Sequence, residues 1–314
     1  MSKQVKDIDM IVVGSGPAGL AAAIYAARAN ISVLVLEDKY IGGQVKTTYA
    51  IENYPGFKTI TGEELATRMQ EQAEDAGAEI EEFDSIISMD LKDDEKIVET
   101  EDFIYKPKVV VIATGAGPTL LPISNEQKFS GKGVHYCAVC DGAMYKDEVV
   151  GIVGGGNSAQ KEALYLSTLA KKVYVIRRKD FFHGEKSVIE RMLSNDKIEV
   201  LYNWDLVDVE GENLVNRALI KNVKTGEEKE LELQAIFSSI GRTPRTEFVK
   251  EQVKVNEYGY IEVDKRKRTN IEGVYAIGDV TNTEFRQITT AVSDGTIAAL
   301  DAAEYIESKK TELN

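Results

Sequence analysis

The chain has 314 residues and a mass of 34.7 kDa, a length that suggests about two domains of ~150 residues each. Hydrophobic residues make up 43% of it and charged residues 29%, which excludes a chain that is disordered throughout. With 52 acidic against 38 basic residues the net charge is −14, which argues against nucleic acid or an anionic membrane as partner.

The N-terminal segment and the number of cysteines predict the cellular compartment of the protein. No apolar stretch ahead of the first motif resembles a signal peptide, and no segment approaches the ~18 uninterrupted apolar residues of a membrane helix. Two cysteines are too few for a secreted disulfide framework. We therefore expect a cytoplasmic protein without a membrane span. The short basic run at 265–268 is expected to be a solvated loop or strand edge.

The N-terminal part has the pattern of a dinucleotide-binding βαβ unit. A buried-strand run at 9–13 precedes a Gly-rich turn, an Ala-rich helix follows at 20–29, and a strand at 32–36 leads to Glu37. The turn consists of Gly14, Ser15, Gly16, Pro17, Ala18 and Gly19. Its glycines allow backbone N–H groups to approach a pyrophosphate at the helix N-terminus. Glu37 is then placed to accept a hydrogen bond from the 2′-hydroxyl of an adenosine ribose.

A second copy of this unit begins at residue 149. Its strand at 149–153 leads to a turn, and a helix at 160–170 is followed by a strand at 173–176. The turn consists of Gly154, Gly155, Gly156, Asn157, Ser158 and Ala159. Ala159 replaces the third glycine, a change that close helix–strand packing tolerates. The cations Arg177, Arg178 and Lys179 follow the second strand.

The two copies differ in charge at matching register. The same number of positions separates Gly14 from Glu37 and Gly154 from Arg177. A carboxylate suits a free ribose 2′-hydroxyl and repels a 2′-phosphate, whereas guanidinium groups do the opposite. Charge alone therefore assigns FAD or NAD to the first copy and NADP(H) to the second.

Each copy also has a later strand that ends in a glycine turn, at the carboxyl edge of the sheet where nucleotides bind. The strand at 109–112 leads to Thr114 and Gly115, and the strand at 235–240 leads to Gly241 and Arg242. A last strand at 273–277 ends in Gly278 and Asp279 and is more similar to the first copy than to the second.

The order of these strands predicts an α/β fold with two Rossmann-like dinucleotide-binding domains, the NADPH domain being inserted into the FAD domain. Pro118 and Pro244 mark plausible crossings. We expect residues 1–117 and 245–314 to form the FAD domain. Residues 118–244 are expected to form the NADPH domain, which also carries Cys137 and Cys140 as a redox dithiol.

Cys137 and Cys140 form a C-x-x-C motif shortly before the second Gly-rich turn. This spacing lets one thiolate attack an external disulfide while the other resolves the mixed disulfide. Two alternatives stay open. Zinc could bind the two cysteines with His135 and His183, or the pair could be a structural disulfide, which a reducing compartment disfavours.

Taken together, these motifs resemble those of the low-molecular-weight thioredoxin reductases over nearly the whole chain. The shared segments are residues 14–19, 42–44, 52–56, 113–115, 137–142, 154–159, 278–279 and 286–287. Flavoproteins of the ferredoxin–NADP reductase type share the nucleotide modules and lack the C-x-x-C motif, so the two cysteines are the most specific discriminator.

The resemblance implies FAD on the first module and NADPH on the second. Flavin-site residues by this resemblance are Glu37, Gly43, Gln44, Asn53, Asp279, Arg286, Gln287 and Ile288. It further implies that Cys140 faces the flavin, that Cys137 attacks the partner disulfide, and that Asp141 is the general acid for the leaving thiolate. Asp141 as a helix N-cap is the alternative. The expected partner is thioredoxin or a similar dithiol protein. The resemblance also implies that this chain forms a homodimer and that its NADPH domain rotates against its FAD domain.

One segment departs from the family pattern. Family members usually carry His-Arg-Arg and a further Arg where this chain has Arg177, Arg178, Lys179 and His183. Lysine offers a point charge instead of a planar fork, and an ordinary histidine is mostly neutral at pH 7. NADH or reduced ferredoxin therefore remain alternative donors. A dithiol oxidase, disfavoured by the intact second turn, and a non-enzymatic flavin redox sensor are further alternatives.

Overall fold

The computed structural model describes residues 3–48 and 50–312. Its strands are β1 (Gln4–Val13), β2 (Val33–Glu37), β3 (Glu79–Glu82), β4 (Ile86–Leu91), β5 (Lys96–Thr100), β6 (Phe103–Ile112), β7 (Ala116–Pro118), β8 (Val134–His135), β9 (Val149–Gly154), β10 (Lys172–Arg177), β11 (Ile198–Tyr202), β12 (Trp204–Gly211), β13 (Val215–Asn222), β14 (Glu228–Glu232), β15 (Ala235–Ser239), β16 (Arg242–Pro244) and β17 (Val274–Ala276). Its α-helices are α1 (Pro17–Arg28), α2 (Gly62–Asp75), α3 (Glu126–Phe129), α4 (Ala138–Asp141), α5 (Asn157–Leu169), α6 (Lys186–Leu193) and α7 (Ile288–Glu312). Short 3₁₀ helices span Gly43–Thr47, Gly142–Tyr145 and Gly278–Val280.

The chain divides into two compact units. Unit 1 contains the described residues up to Gly117 together with those from Thr243 onward, and unit 2 is Pro118–Arg242. Unit 1 has a mixed sheet whose central strands are parallel, unit 2 has a parallel sheet, and both carry helices, so the expected α/β fold with two Rossmann-like domains is confirmed. Within the described residues, no helix has the length and apolar character needed to cross a membrane.

The sheet of unit 1 has the strand order β3-β2-β1-β6-β5-β4, with β17 also paired to β6. Both β5 and β17 can pair with β6 because the two halves of this ten-residue strand have different partners. Its first half pairs with β5 in antiparallel register, Val98 opposite Tyr105, and its second half pairs with β17 in parallel register, Val274 opposite Val110. The chain thus returns to the first sheet after unit 2, and the carboxyl ends of β1, β2, β6 and β17 lie at one edge.

Helices α1 and α7 pack closely on this sheet because both carry small residues where they meet. A Cβ at Gly295 of α7 would lie 2.2 Å from the backbone oxygen of Ala18 in α1. Pro17 occupies the first turn of α1, where its missing N–H is no loss. Close packing of these helices leaves most of α1 buried and fixes the turn that precedes it.

The basic run at 265–268 lies in a turn and loop where Lys265, Arg266 and Arg268 are exposed, as expected, and it also forms ion pairs. Arg266 and Arg268 both form ion pairs with Asp301, whose side chain is 4% exposed, and Lys267 pairs with Asp294. Both acids lie on α7, so these ion pairs join the run to that helix within unit 1.

Unit 2 has a five-stranded parallel sheet of order β11-β10-β9-β15-β8 and a three-stranded antiparallel sheet of β12, β13 and β14. Helix α5 begins at Asn157, three residues earlier than the sequence pattern predicts, because Gly156 serves as its N-cap in extended conformation. Residues Asn157 to Ala159 therefore form the first turn of the helix instead of a loop.

Candidate active site

The Gly-rich turn of unit 1 has the geometry expected for a pyrophosphate cradle. Gly14 has a φ of +103°, and a Cβ there would lie 2.6 Å from the backbone oxygen of Ala113. A Cβ at Gly19 would lie 1.9 Å from the oxygen of Gly14, so only glycine permits this approach of helix to strand. Gly16, the N-cap of α1, has open space where its Cβ would be. Phosphate oxygens can therefore reach the helix N-terminus over Gly16.

Glu37 lies at the carboxyl end of β2 and has a second role that the sequence does not reveal. Its Oε2 accepts hydrogen bonds from the Ser15 backbone N–H at 2.9 Å and from the Ser15 hydroxyl at 2.7 Å. Its Oε1 accepts from the backbone N–H of Lys39 at 3.0 Å. The side chain thus braces the Gly-rich turn, and its oxygens keep further acceptor capacity for a ribose hydroxyl.

The turn at Gly42 and Gly43 adjoins the first module. Gly42 donates its N–H to the oxygen of Ser15 at 3.0 Å, and a Cβ at Gly43 would lie 3.3 Å from Cα of Gly16. Gln44 donates from Nε2 to the oxygen of Ala116 at 2.8 Å. Residues 42–44, one of the segments shared with the thioredoxin reductases, therefore lie directly beside the first Gly-rich turn.

Two further predicted residues follow β6. Gly115 has a φ of +70°, and a Cβ on it would approach Nε2 of Gln44 at 3.8 Å. Thr114 donates its hydroxyl to the backbone oxygen of Arg245 at 2.7 Å. This strand end is thus joined to Gln44 on one side and to the returning chain on the other.

The strand end after β17 completes this edge. A Cβ at Gly278 would lie 2.9 Å from the Cβ of Ala18, so the 3₁₀ helix that contains Asp279 lies against the start of α1. The Gly278 N–H donates to the Asp294 carboxylate at 3.2 Å, and that carboxylate also pairs with Lys267 at 2.7 Å. Sequence reasoning missed Asp294, because an acid within a helix gives no local signal.

The remaining predicted flavin residues lie near the start of α7. Asn53 donates from Nδ2 to Oε1 of Gln287 at 3.2 Å, and Ile288 is the first residue of the helix. The Arg286 guanidinium lies over the ring of Tyr260 at 4.3 Å. Nε of Arg286 is buried and has no hydrogen-bond acceptor among the described residues. A buried donor without an acceptor favours an external acceptor at this place.

The second Gly-rich turn, in unit 2, tolerates alanine as expected. A Cβ at Gly154 would lie 2.8 Å from the Cβ of Ala159 and 2.4 Å from the oxygen of Ser239, so Gly154 is the residue that must stay small. Gly156 has open space around its Cβ position, and Ser158 is exposed on the first turn of α5. Asn157 accepts the backbone N–H of Glu185 at 3.1 Å.

The three cations after β10 are not equivalent. The Arg177 guanidinium packs on Gly155, where a Cβ would lie 2.2 Å from Cζ, and its Nε donates to the oxygen of Phe181 at 3.1 Å. Burial, together with the charge of Arg178, lowers the pKa of Arg177 from its usual value. Arg178 is 68% exposed and lies 3.8 Å from the Asp205 carboxylate. Lys179 lies over the Phe181 ring at 5.4 Å.

A half-buried acid that sequence reasoning missed lies at the carboxyl edge of the second sheet. Glu162 of α5 has a buried Oε2 for which the described residues supply no hydrogen-bond donor. Burial raises its pKa to about 7, against a hydrogen bond from Ser239 and the charge of Arg242, both of which lower it.

Gly241 has a φ of +122°, and its backbone oxygen accepts the N–H of Thr119 at 3.0 Å.

Cys137 and Cys140 form a disulfide in unit 2. Cys137 is the N-cap of the short helix α4, and its sulfur accepts the backbone N–H of Cys140 at 3.2 Å. Asp141 ends this helix and stands at the N-cap position of the 3₁₀ helix that follows, but its side chain makes no capping hydrogen bond there. Its Oδ2 lies 3.3 Å from Nδ1 of His135.

The part of the chain that the structure describes contains no cluster of three or more side chains able to hold a metal ion. His135 contacts Asp141 and Tyr145 through its two ring nitrogens, and His183 packs edge-on against Phe181. These contacts assign the two histidines to different surroundings within unit 2. The four-ligand zinc site considered from the sequence is therefore absent from the described residues.

Comparison with known proteins identifies the family. Residues 8–295 match the family model described as pyridine nucleotide-disulphide oxidoreductase. A thioredoxin reductase of Peptoclostridium acidaminophilum is 40% identical, with 97% of this chain and 98% of that protein covered. The crystal structure of thioredoxin reductase from Streptococcus pyogenes has a TM-score of 0.90 at 42% identity, covering 96% and 99% of the two chains. A ferredoxin-flavin thioredoxin reductase from Clostridium acetobutylicum has a TM-score of 0.53 at 31% identity, covering 97% and 100%.

Proposed function

Because the chain belongs to the pyridine nucleotide-disulphide oxidoreductases, and among them to the thioredoxin reductases, we propose that it carries two electrons from NADPH through FAD to the disulfide of a thioredoxin or similar protein. The observation that carries this proposal is the Cys137–Cys140 disulfide, placed shortly before the second Gly-rich turn. A dithiol at this place needs both a source and an acceptor of electrons.

The residues of unit 1 fit FAD. The turn over Gly16 is open for a pyrophosphate, Glu37 has acceptor capacity for a ribose hydroxyl, and Nε of Arg286 is a buried donor for which the described residues supply no acceptor. Gly43, Gln44, Asn53, Asp279, Gln287 and Ile288 would complete the site. When bound, FAD supplies the step between a two-electron hydride donor and a disulfide.

The charges of unit 2 support NADPH over NADH as the donor. Arg178 and Lys179 are exposed at the end of β10, where an adenosine 2′-phosphate would need cations. Arg177 is engaged with Phe181 and Gly155 and would serve as the floor of this site. The Asp205 carboxylate forms an ion pair with Arg178 and offsets part of its charge. Discrimination between NADPH and NADH therefore rests on fewer cations than the three in the sequence.

The dithiol chemistry divides between the two cysteines. We assign the attack on the partner disulfide to Cys137 and the resolving, flavin-side role to Cys140. The leaving thiolate of the partner needs a proton, and Asp141, which directly follows Cys140, is assigned as the acid that supplies it. Asp141 is one-fifth exposed, so its carboxyl can exchange protons with water.

Stopped-flow reduction of the flavin tests the donor. The FAD-loaded protein is mixed with NADPH, NADH or reduced ferredoxin, and thioredoxin reduction is followed in parallel. We expect fast reduction by NADPH and turnover with thioredoxin. Faster reduction by NADH would contradict the 2′-phosphate assignment, and reduction by ferredoxin alone would favour the second candidate, the activity named for the Clostridium acetobutylicum relative. A homodimer is also expected from the family, and analytical ultracentrifugation tests it.

A further inference from the structure

His135 lies between the acid next to the disulfide and a tyrosine. Its Nδ1 is 3.3 Å from Oδ2 of Asp141, and its Nε2 is 2.7 Å from the hydroxyl oxygen of Tyr145. All three residues belong to unit 2, as do Cys137 and Cys140. Each ring nitrogen therefore has one polar partner, and one of those partners is the proposed general acid.

The packing around the ring fixes its orientation. His135 is the last residue of β8, is 3% exposed, and pairs with Phe237 of β15. The two rings are stacked with centroids 5.4 Å apart, and Tyr145 meets the His135 ring edge-on at 5.3 Å. Among the described residues, the titratable side chains recorded in contact with the imidazole are Asp141 and Tyr145. A ring held in this way presents fixed nitrogens to both.

The hydroxyl of Tyr145 can donate to Nε2 of His135 or accept from it, and these two arrangements correspond to the two tautomers of the ring. Burial, with a smaller effect of the Asp141 charge, raises the pKa of Tyr145 to about 12, so the hydroxyl stays protonated near neutral pH. When it donates to Nε2, the neutral imidazole must carry its proton on Nδ1, because a neutral ring has one donor and one acceptor nitrogen. The protonated Nδ1 then lies 3.3 Å from Oδ2 of Asp141.

We propose that His135 and Tyr145 are positioning residues for Asp141: Tyr145 fixes the Nδ1–H tautomer of His135, and His135 orients the Asp141 carboxyl and stabilises its carboxylate after proton donation. The inference rests on the proposed function, since it deepens the role given there to Asp141. A neighbouring group that fixes the tautomer of an imidazole is a general way of making its other nitrogen a reliable donor.

The reaction balances as follows. The Cys137 thiolate forms a bond to one sulfur of the partner disulfide, that S–S bond breaks, and the departing sulfur takes the proton of Asp141. The Asp141 carboxylate that remains accepts a hydrogen bond from His135 Nδ1–H and regains its proton from water. Cys140 then loses its proton to water, and its thiolate displaces the second partner sulfur from Cys137; that sulfur leaves as a thiolate and takes up a proton from water, so the enzyme disulfide is restored and the partner is reduced by two electrons.

Histidine NMR tests the tautomer. The sequence contains two histidines, so ¹⁵N-histidine labelling of the oxidised, FAD-loaded protein gives two ring systems, which a His183→Asn variant assigns. We expect His135 to be protonated on Nδ1 and to shift toward Nε2 protonation in Tyr145→Phe. The matched control is Tyr174→Phe, because the hydroxyl of Tyr174 contacts Lys172. An Nε2–H ring in the wild type, or no change in Tyr145→Phe, would overturn the proposal.

Disulfide reduction tests the consequence. The holoenzyme is reduced with dithionite, which bypasses the nicotinamide donor, and is mixed with 2-hydroxyethyl disulfide or with 5,5′-dithiobis(2-nitrobenzoate). The aromatic thiolate leaves without protonation because its pKa is low, whereas the alkyl thiolate needs the acid. We expect the alkyl-to-aromatic rate ratio to fall roughly threefold or more in Tyr145→Phe and about tenfold in His135→Gln, since hydrogen bonds to charged groups have effects of this size.

The conservative variant separates positioning from folding. In His135→Asn the amide nitrogen can take the place of Nδ1, so its rate ratio should lie within about threefold of the wild type. Equal losses with both disulfides in every variant would indicate a structural role and overturn the proposal. If wild type reduces both small disulfides but fails with NADPH or thioredoxin, the proposed function fails while the rate ratio still tests His135.

Discussion

The carboxylate of Glu37 holds the first Gly-rich turn through Ser15, accepting both its backbone N–H at 2.9 Å and its hydroxyl at 2.7 Å. Glu37 is 8% exposed, so these hydrogen bonds compete little with water. The residue assigned to the ribose therefore also fixes the backbone that is to bind the pyrophosphate. Loss of its charge should disturb both parts of the nucleotide site together.

Glu37→Gln should weaken FAD binding. A neutral amide accepts a weaker hydrogen bond from Ser15, and bonds to charged groups contribute about 1.5–3 kcal/mol, so we expect the dissociation constant of FAD to rise roughly tenfold or more. Flavin fluorescence during dilution of the holoprotein measures this release. Asp38→Asn, which removes the same charge from the next, exposed position, is the control and should retain FAD. Equal affinity of Glu37→Gln and wild type would contradict the double role.

The sequence predicts what is local and repeated. Both βαβ units were recognisable because glycine turns, buried strands and charges at matching register lie within a few dozen residues. Side-chain contacts give no such signal, even between positions that lie close in the chain. The hydrogen bonds from Ser15 to Glu37 and the partial burial of Glu162 depend on which strand ends meet and which helix face packs inward. The sequence suggests His135 only as a metal ligand, because neither Tyr145 nor Asp141 marks it as their partner.

The cations after β10 should act unequally on the nicotinamide donor. Arg178→Gln or Lys179→Gln removes an exposed charge from the proposed 2′-phosphate site, so we expect KM for NADPH to rise about tenfold and KM for NADH to stay within twofold. Steady-state kinetics with both donors measure the difference. Lys221→Gln, which removes an ion-paired lysine of β13, is the control.

Asp205→Asn should have the opposite effect. Asp205 lies 3.8 Å from the Arg178 guanidinium, and neutralising it leaves that cation fully available to a phosphate. Because exposed ion pairs are weak, we expect KM for NADPH to fall only about two- to threefold. The same steady-state assay applies, at low ionic strength where such charges are least screened. A rise in KM for NADPH would place the phosphate elsewhere.

The two cysteines should differ in their effect on the flavin spectrum. If Cys140 is the flavin-side thiol, the Cys137→Ser protein keeps a thiolate beside the flavin and should show a long-wavelength charge-transfer band. Cys140→Ser should lack the band. Absorbance spectra of the two FAD-loaded variants, recorded over a pH series, make the comparison. The reverse pattern would exchange the assigned roles of attacking and flavin-side cysteine.

Glu162→Gln should stabilise unit 2 at alkaline pH. Burial raises the pKa of Glu162 from 4.5 to about 7, so the folded state holds this proton more tightly than the unfolded chain does. Its contribution to stability is then fully present below pH 4.5 and is lost as the pH rises through 7. A glutamine has no charge to bury, so the variant should gain about 2–3 kcal/mol over wild type at pH 8 and much less at pH 5. Urea unfolding followed by fluorescence of Trp204, the sequence's single tryptophan and a residue of unit 2, measures this. Glu190→Gln on the exposed face of α6 should show no such pH-dependent gain, and an equal gain at both pH values would mean that Glu162 is ionised to the same extent in the folded and unfolded states.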